Sequence, residues 1–135
     1  MNFNQLFFIL GISLVGICSC TSSQKVEPVA VVNEDCNYKK IKFDIYELDK
    51  RGQLGTENNK TTLDFEFCIP NKVDFLMEVK NIDSSLKSQK GKGRSNCGKE
   101  YLLIVGNTYN KDFKKILCKL SQLEYVKEIN QTLWE

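Results

Sequence analysis

The chain predicts an α+β fold, and three observations carry the prediction. Residues 63–69 alternate, with Leu63, Phe65, Phe67 and Ile69 apolar and Asp64, Glu66 and Cys68 between them. That period of two belongs to a strand with one buried face. Two later stretches carry apolar residues at helical spacing: Val73, Leu76, Met77, Val79 and Ile82, then Phe113, Ile116, Leu117, Leu120 and Leu123. Residues 101–105 are continuously apolar, as expected of a central strand covered on both faces.

Taken in order, residues 38–48 come first, where Ile41, Phe43 and Ile45 alternate with Lys42 and Asp44 and predict a strand. Gly52, Gly55 and the Asn58-Asn59 pair mark residues 49–61 as a long loop. Pro70 stops the strand over 63–69, and Asn71 is placed to cap the helix that follows, with Asp74 in its first turn. Ser84 and Ser85 end that helix, and residues 86–90 predict a short strand. The Gly-rich run 91–99 reads as a loop leading into the apolar strand. Asn110 is expected to cap the second helix, with Asp112 in its first turn, and residues 126–134 predict a closing strand.

From residue 61 onward this order is strand, helix, strand, strand, helix, strand. It resembles the split βαβ, or ferredoxin-like, sandwich, in which four antiparallel strands carry both helices on one face. The strand over 38–48 would be an N-terminal addition at one edge.

Residues 6–17 are almost wholly apolar, too short a run for the roughly 20 residues of a spanning helix. They are followed by Ile17-Cys18-Ser19-Cys20 and the polar Thr21-Ser22-Ser23-Gln24. This resembles a bacterial lipoprotein signal, which implies that the peptide is cut before Cys20 and that Cys20 is lipidated. Residues 1–19 are then the leader, 20–36 a flexible tether and 37–135 a single domain. The resemblance implies a location in the cell envelope, facing the periplasm or the exterior and held by acyl chains at roughly 0.8 kcal/mol per buried CH₂.

Beyond the leader lie Cys36, Cys68, Cys97 and Cys118, with no C-x-x-C among them. An even set in an oxidising compartment predicts two disulfides, and spacing leaves all three connectivities open. The ferredoxin-like resemblance implies Cys68–Cys97, because the end of its first strand and the hairpin between its second and third lie together. Cys118, beside Lys114 and Lys115, would face away from the sheet and leave Cys36–Cys118 as the second bridge.

Composition excludes more than it assigns. Histidine is absent, which removes the commonest general base, the commonest zinc ligand and any Ser-His or Cys-His pair. No metal, cofactor or enzymatic activity is expected. A net charge of +2 gives no reason to expect nucleic acid. Gly93-Arg94-Ser95-Asn96-Cys97-Gly98-Lys99 fits the first seven positions of a P-loop, but Glu100 stands where a hydroxyl must hold Mg²⁺ and a strand follows instead of a helix. No nucleotide is expected either. Asp64 and Glu66 read as carboxylates on a solvated sheet face.

The remaining feature is the cluster Lys87, Lys90, Lys92, Arg94 and Lys99 on one Gly-rich hairpin whose base a Cys97 bridge would fix. With an open sheet face, it predicts a non-catalytic module that binds a protein partner in the envelope, of the inhibitor or immunity type. The alternative is a structural lipoprotein supporting an outer-membrane or cell-wall assembly.

Overall fold

The computed structural model describes residues 36–133. The leader over 1–19, Cys20, the tether over 20–36 apart from Cys36, and Trp134 lie outside the described residues. Among the described residues a single 3₁₀ turn, Tyr38–Lys40, comes first. Then follow β1 (Gln53–Thr56), β2 (Asn59–Thr62), β3 (Asp64–Pro70), α1 (Val73–Ile82), β4 (Lys87–Gln89), β5 (Tyr101–Asn107), α2 (Phe113–Gln122) and β6 (Asn130–Gln131). The fold is α+β, with two helices and two antiparallel sheets.

The larger sheet has the order β4-β5-β3-β6, and every neighbouring pair is antiparallel. The alternation in β3 sorts its residues as the sequence predicts. Phe65, Phe67 and Ile69 are buried with Ile104 of β5 against Val79 of α1 and Phe113, Leu117 and Leu120 of α2. Both helices therefore cover one face, and each such side chain contributes roughly 1.5–3 kcal/mol by leaving water. On the other face Glu66 stands opposite Val105 and Cys68 opposite Leu103.

Both disulfides join the expected partners. Cys36 bridges to Cys118 on α2, and Cys68 at the end of β3 bridges to Cys97 in the β4–β5 connection, with Cα atoms 5.0 and 5.5 Å apart respectively.

The N-terminal strand expected over 38–48 does not form. After the 3₁₀ turn, Ile41 makes one parallel bridge to Ile129, and the chain then bends irregularly to Leu48. The residues it buries are Ile41, Ile45 and Leu48, at intervals of four and three rather than two. Asp44 Oδ1 accepts the Tyr46 N–H at 2.7 Å, a local turn that competes with sheet pairing.

The loop expected over 49–61 instead contains the β1–β2 hairpin, with Gln53 opposite Thr62 and Thr56 opposite Asn59. Its strands bury little, so they leave no alternating apolar signature in the sequence. A buried hydroxyl holds the hairpin to the sheet: Thr108 Oγ1 accepts the Leu63 N–H at 2.9 Å and donates to the Gly52 carbonyl at 2.6 Å. Gly52 has φ +73°, and a Cβ there would overlap the Thr108 carbonyl.

Two further expectations are narrowed. The closing strand over 126–134 shrinks to β6, two residues paired with Phe65 and Glu66. On α1 the apolar stripe is only half used, because Val79 is buried whereas Val73 and Met77 are 70% and 59% exposed. Asn71 does not cap α1. Nor does Asn110 cap α2: Asp112 stands at the N-cap, outside the first turn and without a side-chain capping bond, and Asn110 Oδ1 accepts the Asp112 N–H at 2.9 Å in the turn before the helix.

Candidate binding surface

The β4–β5 connection turns back on itself through backbone that ordinary residues avoid. Gly91, Gly93 and Asn96 all have positive φ. The Cys97 N–H donates to the Lys92 carbonyl at 2.8 Å, closing the neck of the loop, and the Asn96 N–H donates to the Gly93 carbonyl at 3.3 Å. The Cys68–Cys97 bridge then fastens the closed loop to β3.

A second anchor was not legible in the sequence. Glu66, expected on a solvated face, is 2% exposed, because the loop lies over it. Its Oε1 accepts the Ser95 N–H at 2.8 Å, and its Oε2 accepts the Thr132 hydroxyl at 3.2 Å. The Ser95 hydroxyl donates to the Glu66 carbonyl at 3.3 Å and accepts from Asn130 Nδ2 at 3.0 Å. One buried carboxylate thus ties the loop, β3 and the end of β6 together, and its desolvation is offset by these donors. A Cβ at Gly93 would meet Glu66 Oε1 and both terminal methyls of Leu103, so the contact needs glycine there. The residues that make it (Ser95, Asn130 and Thr132) are scattered over the last third of the chain with no common spacing.

This arrangement also corrects the expectation of an open sheet face. Leu103 is buried beneath the loop, and Cys97 is 3% exposed. The helix-free face is partly covered by the chain's own connection.

The basic residues singled out from sequence all lie on this connection or beside it. Lys90 directly follows β4, Lys92 holds the neck through its carbonyl, Arg94 lies in the loop between Gly93 and Ser95, and Lys99 precedes β5. Each of them, and Lys87 on β4, is exposed. Among the described residues no carboxylate stands within ion-pair distance of these cations. The P-loop-like run enters β5, as its sequence predicts, and not a helix.

Other candidate sites are weaker. Asp64 is engaged by the side-chain amide of Asn107 and Glu66 by the loop, so both carboxylates have structural partners. A polar cleft of about 400 Å³ lies between the end of α1 and the start of α2, lined among others by Lys80, Asp83, Asp112, Lys115 and Lys119. It sits at the far end of β5 from the basic loop. Among the described residues no group of His, Cys, Asp or Glu is placed to hold a metal ion. No protein-family model matches this chain, and no curated protein or solved structure shows significant similarity to it.

Proposed function

We propose that this chain is a lipid-anchored protein of the bacterial envelope whose folded part is a non-catalytic binding module of the inhibitor or immunity type. The loop over 90–99 presents Lys90, Lys92, Arg94 and Lys99 to an acidic surface of a protein partner. The observation that carries this reading is a loop whose lysines and arginine make no ion pair among the described residues, held in one shape by the Cys68–Cys97 bridge and the Glu66 anchor. A loop fixed before binding loses less conformational entropy on contact, and its uncompensated charge accelerates encounter with an anionic surface.

The envelope assignment rests on the apolar run over 6–17 followed by Ile17-Cys18-Ser19-Cys20, with Cys20 as the acylated residue. Two disulfides in so small a chain are consistent with folding where thiols oxidise. For the fold we infer a ferredoxin-like sandwich. Supporting it are the antiparallel order β4-β5-β3-β6 and the placement of one helix after β3 and one after β5.

Capture of partners from envelope extracts by the oxidised, full-length protein tests the binding role. A specific partner should be retained, and Lys92→Glu with Arg94→Glu should release it. Retention unchanged by charge reversal would remove the loop from the interface. Intact mass of the membrane-purified protein tests the anchor, because acylation at Cys20 and loss of residues 1–19 shift it together. An unprocessed chain with free thiols would refute the envelope assignment.

A further inference from the structure

The two edges of the larger sheet are not alike. Beyond β6 the chain itself supplies cover: Ile129 donates its N–H to the Lys40 carbonyl at 2.7 Å and accepts the Lys42 N–H at 2.9 Å. Beyond β4, among the described residues, nothing pairs. Lys87, Ser88 and Gln89 are all exposed, and alternate backbone N–H and C=O groups on the outer side of an edge strand are left for water. The charge along this edge has one sign. Residues 86–99 contain Lys87, Lys90, Lys92, Arg94 and Lys99 and no Asp or Glu.

We infer that the β4 edge takes up an extended acidic segment of the partner protein as an added strand. This deepens the reading above and rests on it, since the same partner would meet the adjoining basic loop. Backbone pairing would supply contacts that need no particular side chains, while Lys87 on the helix-free face of β4 and Lys90 just past its end select acidic residues. The same lysines account for why the edge need not join a second copy of itself: two such edges would bring like charges face to face. An acidic strand meets no such penalty, so one set of side chains rejects self-association and admits the partner.

The test uses the full-length oxidised protein and a short synthetic peptide of alternating Glu and Thr. A second peptide of the same sequence is N-methylated at every residue, which keeps the charge and removes every backbone donor. The unmodified peptide should bind at least about tenfold more tightly than the methylated one and slow amide exchange over residues 86–90. Lys87→Glu with Lys90→Glu should weaken it by a similar factor. Equal binding of the two peptides, or binding by neither, overturns the added strand. If partner capture still depends on Lys92 and Arg94 in that case, the binding module stands without the edge. If capture ignores those residues while the peptide still protects 86–90, the edge stands and the loop falls.

Discussion

Replacing Cys36 and Cys118 with alanine is expected to destabilise the protein more than replacing Cys68 and Cys97. The two bridges are nested, with sequence separations of 82 and 29 residues. Each limits the unfolded chain by an amount that grows with the logarithm of the loop it closes. With the inner bridge intact, its 29 residues are short-circuited from the outer 82, leaving an effective loop of about 53. The outer bridge then contributes about 4.2 kcal/mol; the inner contributes about 3.6 kcal/mol on its own, and about 3.2 kcal/mol at 25 °C when the outer bridge already closes the ring around it. Packing losses should nearly cancel in the comparison, because each pair joins one buried cysteine, Cys118 or Cys97, to one half-buried cysteine, Cys36 or Cys68. Losing both bridges removes about 8 kcal/mol, comparable to the entire stability of a small domain, so the fully reduced chain should be largely unfolded. Urea denaturation of the two double-alanine variants, with slopes compared, measures the difference. An inner-bridge cost equal to or above the outer one would refute the chain-entropy argument and place the work of Cys68–Cys97 in the native loop.

Four further outcomes follow from single sites. Gly93→Ala forces a left-handed backbone and a Cβ against Glu66 and Leu103, and should cost about 1–3 kcal/mol in urea melts while loosening amide protection at Ser95. Thr108→Val leaves the Leu63 N–H and the Gly52 carbonyl without their hydroxyl, a loss of about 2–4 kcal/mol that Thr108→Ser should largely restore. The Lys60 ammonium, with the Gln53 N–H, holds Asp49 at about 2, below the usual 3.8. A carboxylate with a lowered pKa stabilises the fold above its unfolded value and loses that contribution as pH falls through the folded one. The stability difference between wild type and Asp49→Asn should therefore shrink between pH 3.8 and about 2 in an acid titration of the melting temperature. Burial, and then the Glu78 carboxylate bonded to its hydroxyl at 2.7 Å, raise the Tyr125 pKa. It should ionise above pH 10 in an ultraviolet titration, and its contribution to stability should persist below pH 10 and disappear as pH rises beyond it.

What the sequence made legible was whatever a buried face writes into it. β3 and α2 were readable because Phe65, Phe67 and Ile69, and Phe113, Leu117 and Leu120, meet the same core at the periods of strand and helix. The β1–β2 hairpin was not, because strands that face water on both sides leave no period, and its attachment runs through the side chains of Asn107 and Thr108, about fifty residues away. The segment over 41–48 misled for the opposite reason. Its alternation is real, but Asp44 turns the chain before a ladder can form, and the core takes Ile41, Ile45 and Leu48 instead. The basic cluster needed only composition. Its anchor needed the fold.

That anchor changes how the surface should be understood. A basic hairpin held only by its disulfide could still pivot about the bridge, and its lysines would then be ordinary solvated charges. Glu66 adds a second fixed point two residues before the bridge, through the Ser95 N–H, and Thr132 and Asn130 hold that point in turn. Two points of attachment, on Cys97 and Ser95, leave Arg94 and Lys92 on backbone with little freedom to rotate. The same placement puts a buried carboxylate beneath an exposed cationic surface, where its nearest donors are neutral and none of the loop's cations is drawn inward to it. A chain that needed only solubility from these lysines would gain nothing from burying Glu66 to hold their backbone still.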